Sequence, residues 1–165
     1  MGVRSTNPAQ SFIDNFFRSG TDASAAAPAG PVSATGGTTA TPGDGYKYHF
    51  FTTPSSPFDV SAGGAIEYVI IAGGGSGADR GNGAGGGGAG GVLGHGMGLP
   101  NSAHQGGAVT VTVQDYTISV GGPKTGGADE TTGQQGNPSS AFGKTAVGGG
   151  GGGQNNATPG VGGNG

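Results

Sequence analysis

Apolar and polar positions alternate without error along Val109-Thr-Val-Thr-Val113 and again along Tyr116-Thr-Ile-Ser-Val120. That is the period of strands with one buried face. Only Gln114-Asp115 separates the two runs, so they predict adjacent strands of a half-buried antiparallel sheet. Val109, Val111 and Val113 share one face, and Tyr116, Ile118 and Val120 share another. These six are the expected core or oligomer strands. They are too few to give a single chain of this composition a stable core, and self-association is the expected source of the missing burial. Two further segments favour strands: the aromatic run Tyr46 to Thr52, and Ile66 to Ile71, which places Ile66, Tyr68 and Ile70 on one face. Ser140 to Val147 predicts a short hairpin turning at Gly143-Lys144.

The amino-terminal segment has a different period. Phe12, Ile13, Phe16 and Phe17 fall on one face of a short helix, with Ser11 as N-cap, Asp14 three residues later and Gly20 as its stop. Two turns do not stand alone in water, so these four side chains are candidate partner-docking residues, against either another protein or the rest of the chain and its copies. Residues 21–45 hold one large aliphatic side chain, Val32, among Ala, Thr, Ser, Pro and Gly. That is the composition of a linker. The expected organisation is therefore a helical segment over 1–20, a linker over 21–45 and a glycine-rich all-β domain over 46–165 that continues beyond Gly165.

Glycine changes this picture most. Seven glycines lie in the first sixty residues and thirty-six in the rest. Ordering so many glycines costs backbone entropy that something must offset. The Gly-X-Y period of collagen is absent. Two readings remain open: extended, polyproline-II-like segments lying side by side with paired backbones as a flat layer on a β-scaffold, or flexible tethers. Only 31% of the chain is hydrophobic, against about 45–50% in ordinary globular domains. The six basic and nine acidic residues are too few to hold the chain open by repulsion.

Candidate chemistry is thin. IEYVIIAGGGSGA contains GxGxxA at Gly73, Gly75 and Ala78, the form of a dinucleotide-binding turn, and a second match falls at Gly83, Gly85 and Gly88. Such a turn must open a helix. Fifteen of the twenty-six residues from Gly73 to Gly98 are glycine, each costing about 1 kcal/mol in a helix interior, so no helix and no nucleotide site are expected. Arg4, Arg18, Lys47, Arg80, Lys124 and Lys144 are scattered, which argues against nucleic acid. No apolar run approaches the ~20 residues of a membrane-spanning helix, and the first residues have no signal-peptide pattern. The chain has no cysteine. His49, His95 and His104 lack metal-ligand spacing, and Asp129-Glu130 reads as a solvated turn rather than a calcium site. Ser139 and Ser140 have no His-Asp partner. No catalytic residue, metal or cofactor is expected, and the chain is read as a non-enzyme. The strand aromatics read as core, with a sugar-stacking role for Tyr46 or Tyr48 as the other possibility.

Taken in order, the aromatic strand, IEYVIIAGGG, a glycine tract, VTVTV with YTISVGG, then GNPSSAFG and AVGGGGGG resemble the glycine-rich domain of bacteriophage tail fibres and related virion appendages. The likeness covers about two thirds of the chain. It departs at GHGMGLPNSAHQ before Val109, and the segment before Tyr46 has no counterpart. The resemblance implies a virion structural protein, the proximal, particle-anchored part of a tail fibre or similar appendage. Its partners would be tail or capsid proteins reached through Phe12, Ile13, Phe16 and Phe17, and its usual state a homotrimer. Assembly would take place in the host cytoplasm, with release by lysis. The alternative is an adhesin whose exposed glycine-rich loops contact a host surface receptor.

Overall fold

A computed structural model describes residues 31–79, 83–96, 106–126 and 131–154. Among them the chain is all-β, with no helix. The candidate helix and its docking residues Phe12, Ile13, Phe16 and Phe17 lie outside the described residues, as do Arg80, His104 and Asp129-Glu130.

The organising strand is β4 (Ser56–Ala62), followed after Gly63 by β5 (Gly64–Ile66) and after Glu67 by β6 (Tyr68–Ile71). Phe58, Val60, Gly64, Tyr68, Ile70 and Ala72 are buried, all at even positions, while most odd positions face out. One period-two face thus runs through three strands. Opposite β4 and β5 lie β9 (Asp115–Ile118) and β8 (Val109–Val111), both antiparallel. This corrects the expectation that the two alternating runs pair with each other. They are consecutive stretches of one path facing β4–β5, and Gln114-Asp115 is not a hairpin turn. Neither Gln114 nor Asp115 has the positive φ that a two-residue hairpin turn requires.

Between the Asp59–Asp115 and Gly64–Val111 pairs the register slips by one residue. A slip of one residue turns side chains to the other face. The buried parity on this path accordingly changes from Val111 to Ile118, and Val113 is left 68% exposed. Tyr116 spans the irregularity, its hydroxyl accepting the Thr112 N–H at 2.8 Å while the Val60 N–H reaches the Gln114 carbonyl at 3.1 Å.

The 21–45 stretch differs from a linker from residue 33 onward. β1 (Ser33–Thr35) pairs with β4 and buries Ala34, and β2 (Thr38–Ala40) pairs with β3 (Tyr48–Phe50). Gly36 and Gly37, both at positive φ, turn the chain between β1 and β2. β6 pairs with β7 (Val92–His95). β10 (Ser139–Ala141) and β11 (Lys144–Ala146) form the expected hairpin, turned by Phe142-Gly143 rather than Gly143-Lys144. Both turn residues have positive φ, 54° and 71°, the signature of a type I′ turn. The hairpin joins the sheet through the Ser119–Ser140 bridge.

The core is small and aromatic at its centre. Phe58 meets His49, Phe51 and Phe142 edge-on at 5.1, 6.0 and 5.9 Å between ring centres. Phe142 in turn meets Tyr68 and Tyr116 at 6.1 and 5.4 Å. Edge-to-face rings at these separations add to the burial of each other's surface.

Candidate interaction surface

Four glycine-rich segments, 72–79, 85–91, 131–137 and 147–153, are joined backbone to backbone at every third residue. The Gly73, Ser76 and Asp79 N–H groups donate to the carbonyls of Asn137, Gln134 and Thr131. Ala72, Gly75 and Ala78 donate to Gly91, Gly88 and Gly85, whose own N–H groups donate to Val147, Gly150 and Gly153. Gly133 and Gly136 donate to Gly152 and Gly149, and the latter pair donate in turn to Ser76 and Gly73. The arrangement is a bundle and not a flat layer. Segments 72–79 and 147–153 bond to each other, and each bonds to both outer segments.

Such close backbones leave no room for side chains at the contacts. A Cβ on Gly87 would overlap the Gly75 carbonyl oxygen, whereas one on Gly86 would meet nothing within 4 Å. Segment 85–89 is exposed, while Gly148 to Gly152 are buried. Two serines add side-chain partners for backbone groups of these segments. Ser76 Oγ accepts the Gln134 N–H at 2.8 Å. Ser139 Oγ donates to the Ile71 carbonyl at 2.7 Å and accepts the Gly121 N–H at 2.8 Å, tying the hairpin to β6 and to the chain beyond β9.

On the outer side of the β2–β3 ribbon, Tyr46, Tyr48 and Phe50 form a row of rings with centres 6.2 Å apart at each step. Tyr46 is 54% and Phe50 52% exposed. The Tyr48 hydroxyl donates to Asp44 Oδ2 at 2.7 Å, and the Tyr46 hydroxyl to Glu67 Oε1 at 3.3 Å. Asp44 Oδ1 also accepts the Tyr46 N–H at 3.0 Å. The Tyr48 hydroxyl bond, with the Tyr46 N–H, holds the Asp44 carboxyl below its ordinary value. Conversely the Glu67 charge raises Tyr46, and the bond to Asp44 raises Tyr48.

The six expected core or oligomer residues divide in the structure. Val111 and Ile118 are buried, Val109, Tyr116 and Val120 pack at the margin of the core, and Val113 faces solvent. The faces expected to await a partner are thus largely used within the chain. Among the described residues, large apolar exposure falls on Val113 and, outside those six, on Tyr46, Phe50, Val69, Ile71 and Val147. The period-two run Phe58, Val60, Ala62 in β4 was the available signal for the organising strand, and reading only from aromatic and valine runs misses it. No family model matches the sequence, and comparison with curated proteins and with solved structures gives no match.

Proposed function

We propose that this chain is a structural protein of a bacteriophage virion, the particle-anchored proximal part of a tail fibre or similar appendage. The observation that carries the reading is the network of period-three backbone bonds among the four glycine segments. A period of three is that of polyproline II, and we read the segments as extended polyproline-II-like strands packed on a β platform. Such a unit fixes many glycines through mutual bonding and gives a stiff body with little side-chain surface, suited to bearing load rather than to chemistry. The chain is accordingly a non-enzyme in this proposal, without cofactor or metal.

In this reading the segment around Phe12, Ile13, Phe16 and Phe17 docks on a tail or capsid protein. Burial of four such side chains stabilises docking by roughly 6–12 kcal/mol before ordering costs. The assembled form is a homotrimer. A second reading, a host-receptor adhesin, draws on the exposure of segment 85–89, which leaves a glycine strand available to a surface molecule.

Particle incorporation separates these ideas. Deleting residues 1–20, or changing Phe12 and Phe16 to Ser, should leave the β domain folded by circular dichroism and remove the chain from purified particles. Normal incorporation would overturn the anchor. Particles that lack the wild-type chain altogether would overturn the virion role. Particles that carry the chain but lose host adsorption on blocking segment 85–89 would favour the adhesin.

A further inference from the structure

The row of rings that runs from Tyr46 into β3 is built differently from the core aromatics. Tyr46 and Phe50 are more than half exposed, yet both tyrosine hydroxyls are held, one by Asp44 and one by Glu67. A phenol that donates to a carboxylate is fixed in orientation, and its ring face carries added electron density. The side chain of Lys47, just before this strand, does not join the row and reaches the Ala34 carbonyl at 3.1 Å. The approach to Asp44 is open, because Gly43 and Gly45, both at positive φ, have nothing within 4 Å of where a side chain would begin.

We propose that Tyr46, Tyr48 and Asp44 form a binding site for a quaternary ammonium group, with Phe50 receiving the apolar remainder of the ligand. Three features select this chemistry. The electron-rich ring of Tyr46 is more than half exposed and attracts a cation, with the half-buried Tyr48 ring beside it. The adjoining carboxylates repel anions and complement a positive charge. Both Asp44 oxygens already accept hydrogen bonds, from the Tyr46 N–H and the Tyr48 hydroxyl. Asp44 therefore offers its charge more readily than a free two-oxygen fork, which fits a cation that donates no hydrogen bond better than it fits a guanidinium.

The test is a titration of the full chain with choline chloride at constant ionic strength, read by nuclear magnetic resonance on the ring protons. Saturable shifts confined to Tyr46, Tyr48 and Phe50 are expected, with affinity about two- to fivefold above that of choline's uncharged carbon isostere, the ratio supplied by an exposed cation–π contact. Asp44→Asn should weaken choline without changing isostere binding, and Tyr46→Ala should shrink the difference between the two while leaving the part that Asp44 supplies. Both variants must retain the wild-type circular dichroism spectrum; if Tyr46→Ala does not, Tyr46→Leu replaces it. Equal affinity for choline and isostere would overturn the proposal. So would tighter binding of N-acetylarginine amide, or saturation by a neutral oligosaccharide with none by choline.

Discussion

The ring of Phe142 stands edge-on to that of Tyr116, with centres 5.4 Å apart, although Phe142 occupies left-handed backbone at φ 54°. Bulky residues seldom adopt that region, and holding one there costs on the order of 1–3 kcal/mol. Contacts with Phe58, Tyr68 and Tyr116 offset the cost. Asn is the usual occupant of such a turn, so Phe142→Asn sets turn preference against packing. We expect packing to win, with a net loss of about 1–3 kcal/mol in chemical denaturation. A stabilised variant would show that the turn, and not the aromatic cluster, governs this corner.

Ser139 links three parts of the chain through one hydroxyl. Ser139→Ala leaves the Ile71 carbonyl and the Gly121 N–H without that partner at a site where the serine is buried. Removing a partner from buried polar groups costs about 1–3 kcal/mol. The same change at Ser140, which is half-buried and pairs with Ser119 through its backbone, should cost less than half as much. Equal effects at the two positions would remove the distinction.

What the sequence made legible follows from how each segment spends its side chains. Period two at Tyr68, Ile70, Val111 and Ile118 is visible because burial there is one-sided. β1 and β2 are composed of Ser, Ala and Thr and bury only Ala34 among their six residues, so their pairing leaves no hydrophobic trace. The slip between β8 and β9 is set by the partner strand, and no property of Val113 alone could reveal its exposure. Phe142 was unreadable as a turn residue because its place is dictated by rings distant in sequence. Among the surface groups, Tyr46 and Tyr48 were visible as aromatics, but their hold on Glu67 and Asp44 depends on how the ribbon folds.

The tyrosines should separate on alkaline titration. Tyr116 accepts the Thr112 N–H and shares a bond with its hydroxyl, interactions that favour the phenolate and lower its value. Tyr46 is raised by the Glu67 charge, Tyr48 by its bond to Asp44, and Tyr68 by burial. For the raised three, the stabilising contribution is complete below the ordinary tyrosine value and is lost as pH rises through each folded value. For Tyr116 the sign is opposite, because the fold favours its deprotonated form and gains stability as pH rises from the lowered value to the ordinary one. Tyrosinate absorbance should therefore show one early step that Tyr116→Phe removes. A single transition of four equivalent tyrosines would contradict this.

Gly86 and Gly87 are neighbours in sequence with opposite surroundings, and together they test whether the glycine bundle is a packed structure in solution. Neither has a positive φ, so alanine meets no backbone prohibition at either position. At Gly87 a methyl group would overlap the Gly75 carbonyl and lie against Ser76 backbone at 2.7 Å. Backbone on both sides is itself hydrogen-bonded, so relief requires separating segments 72–79 and 85–91 and weakening the bonds from Gly75 to Gly88 and from Ala78 to Gly85. The expected cost is about 1–3 kcal/mol, typical of overpacking in a closely packed interior. At Gly86 the methyl group points into open space, and the loss of a glycine restricts the unfolded chain. Gly86→Ala should then be neutral or stabilising by roughly 0.4–1 kcal/mol. If the tracts are tethers, both substitutions stiffen the same flexible segment and both are harmless. Opposite signs at adjacent glycines, measured by thermal unfolding and by amide exchange at Gly75 and Gly88, have no explanation except close backbone packing on one side of the segment and solvent on the other.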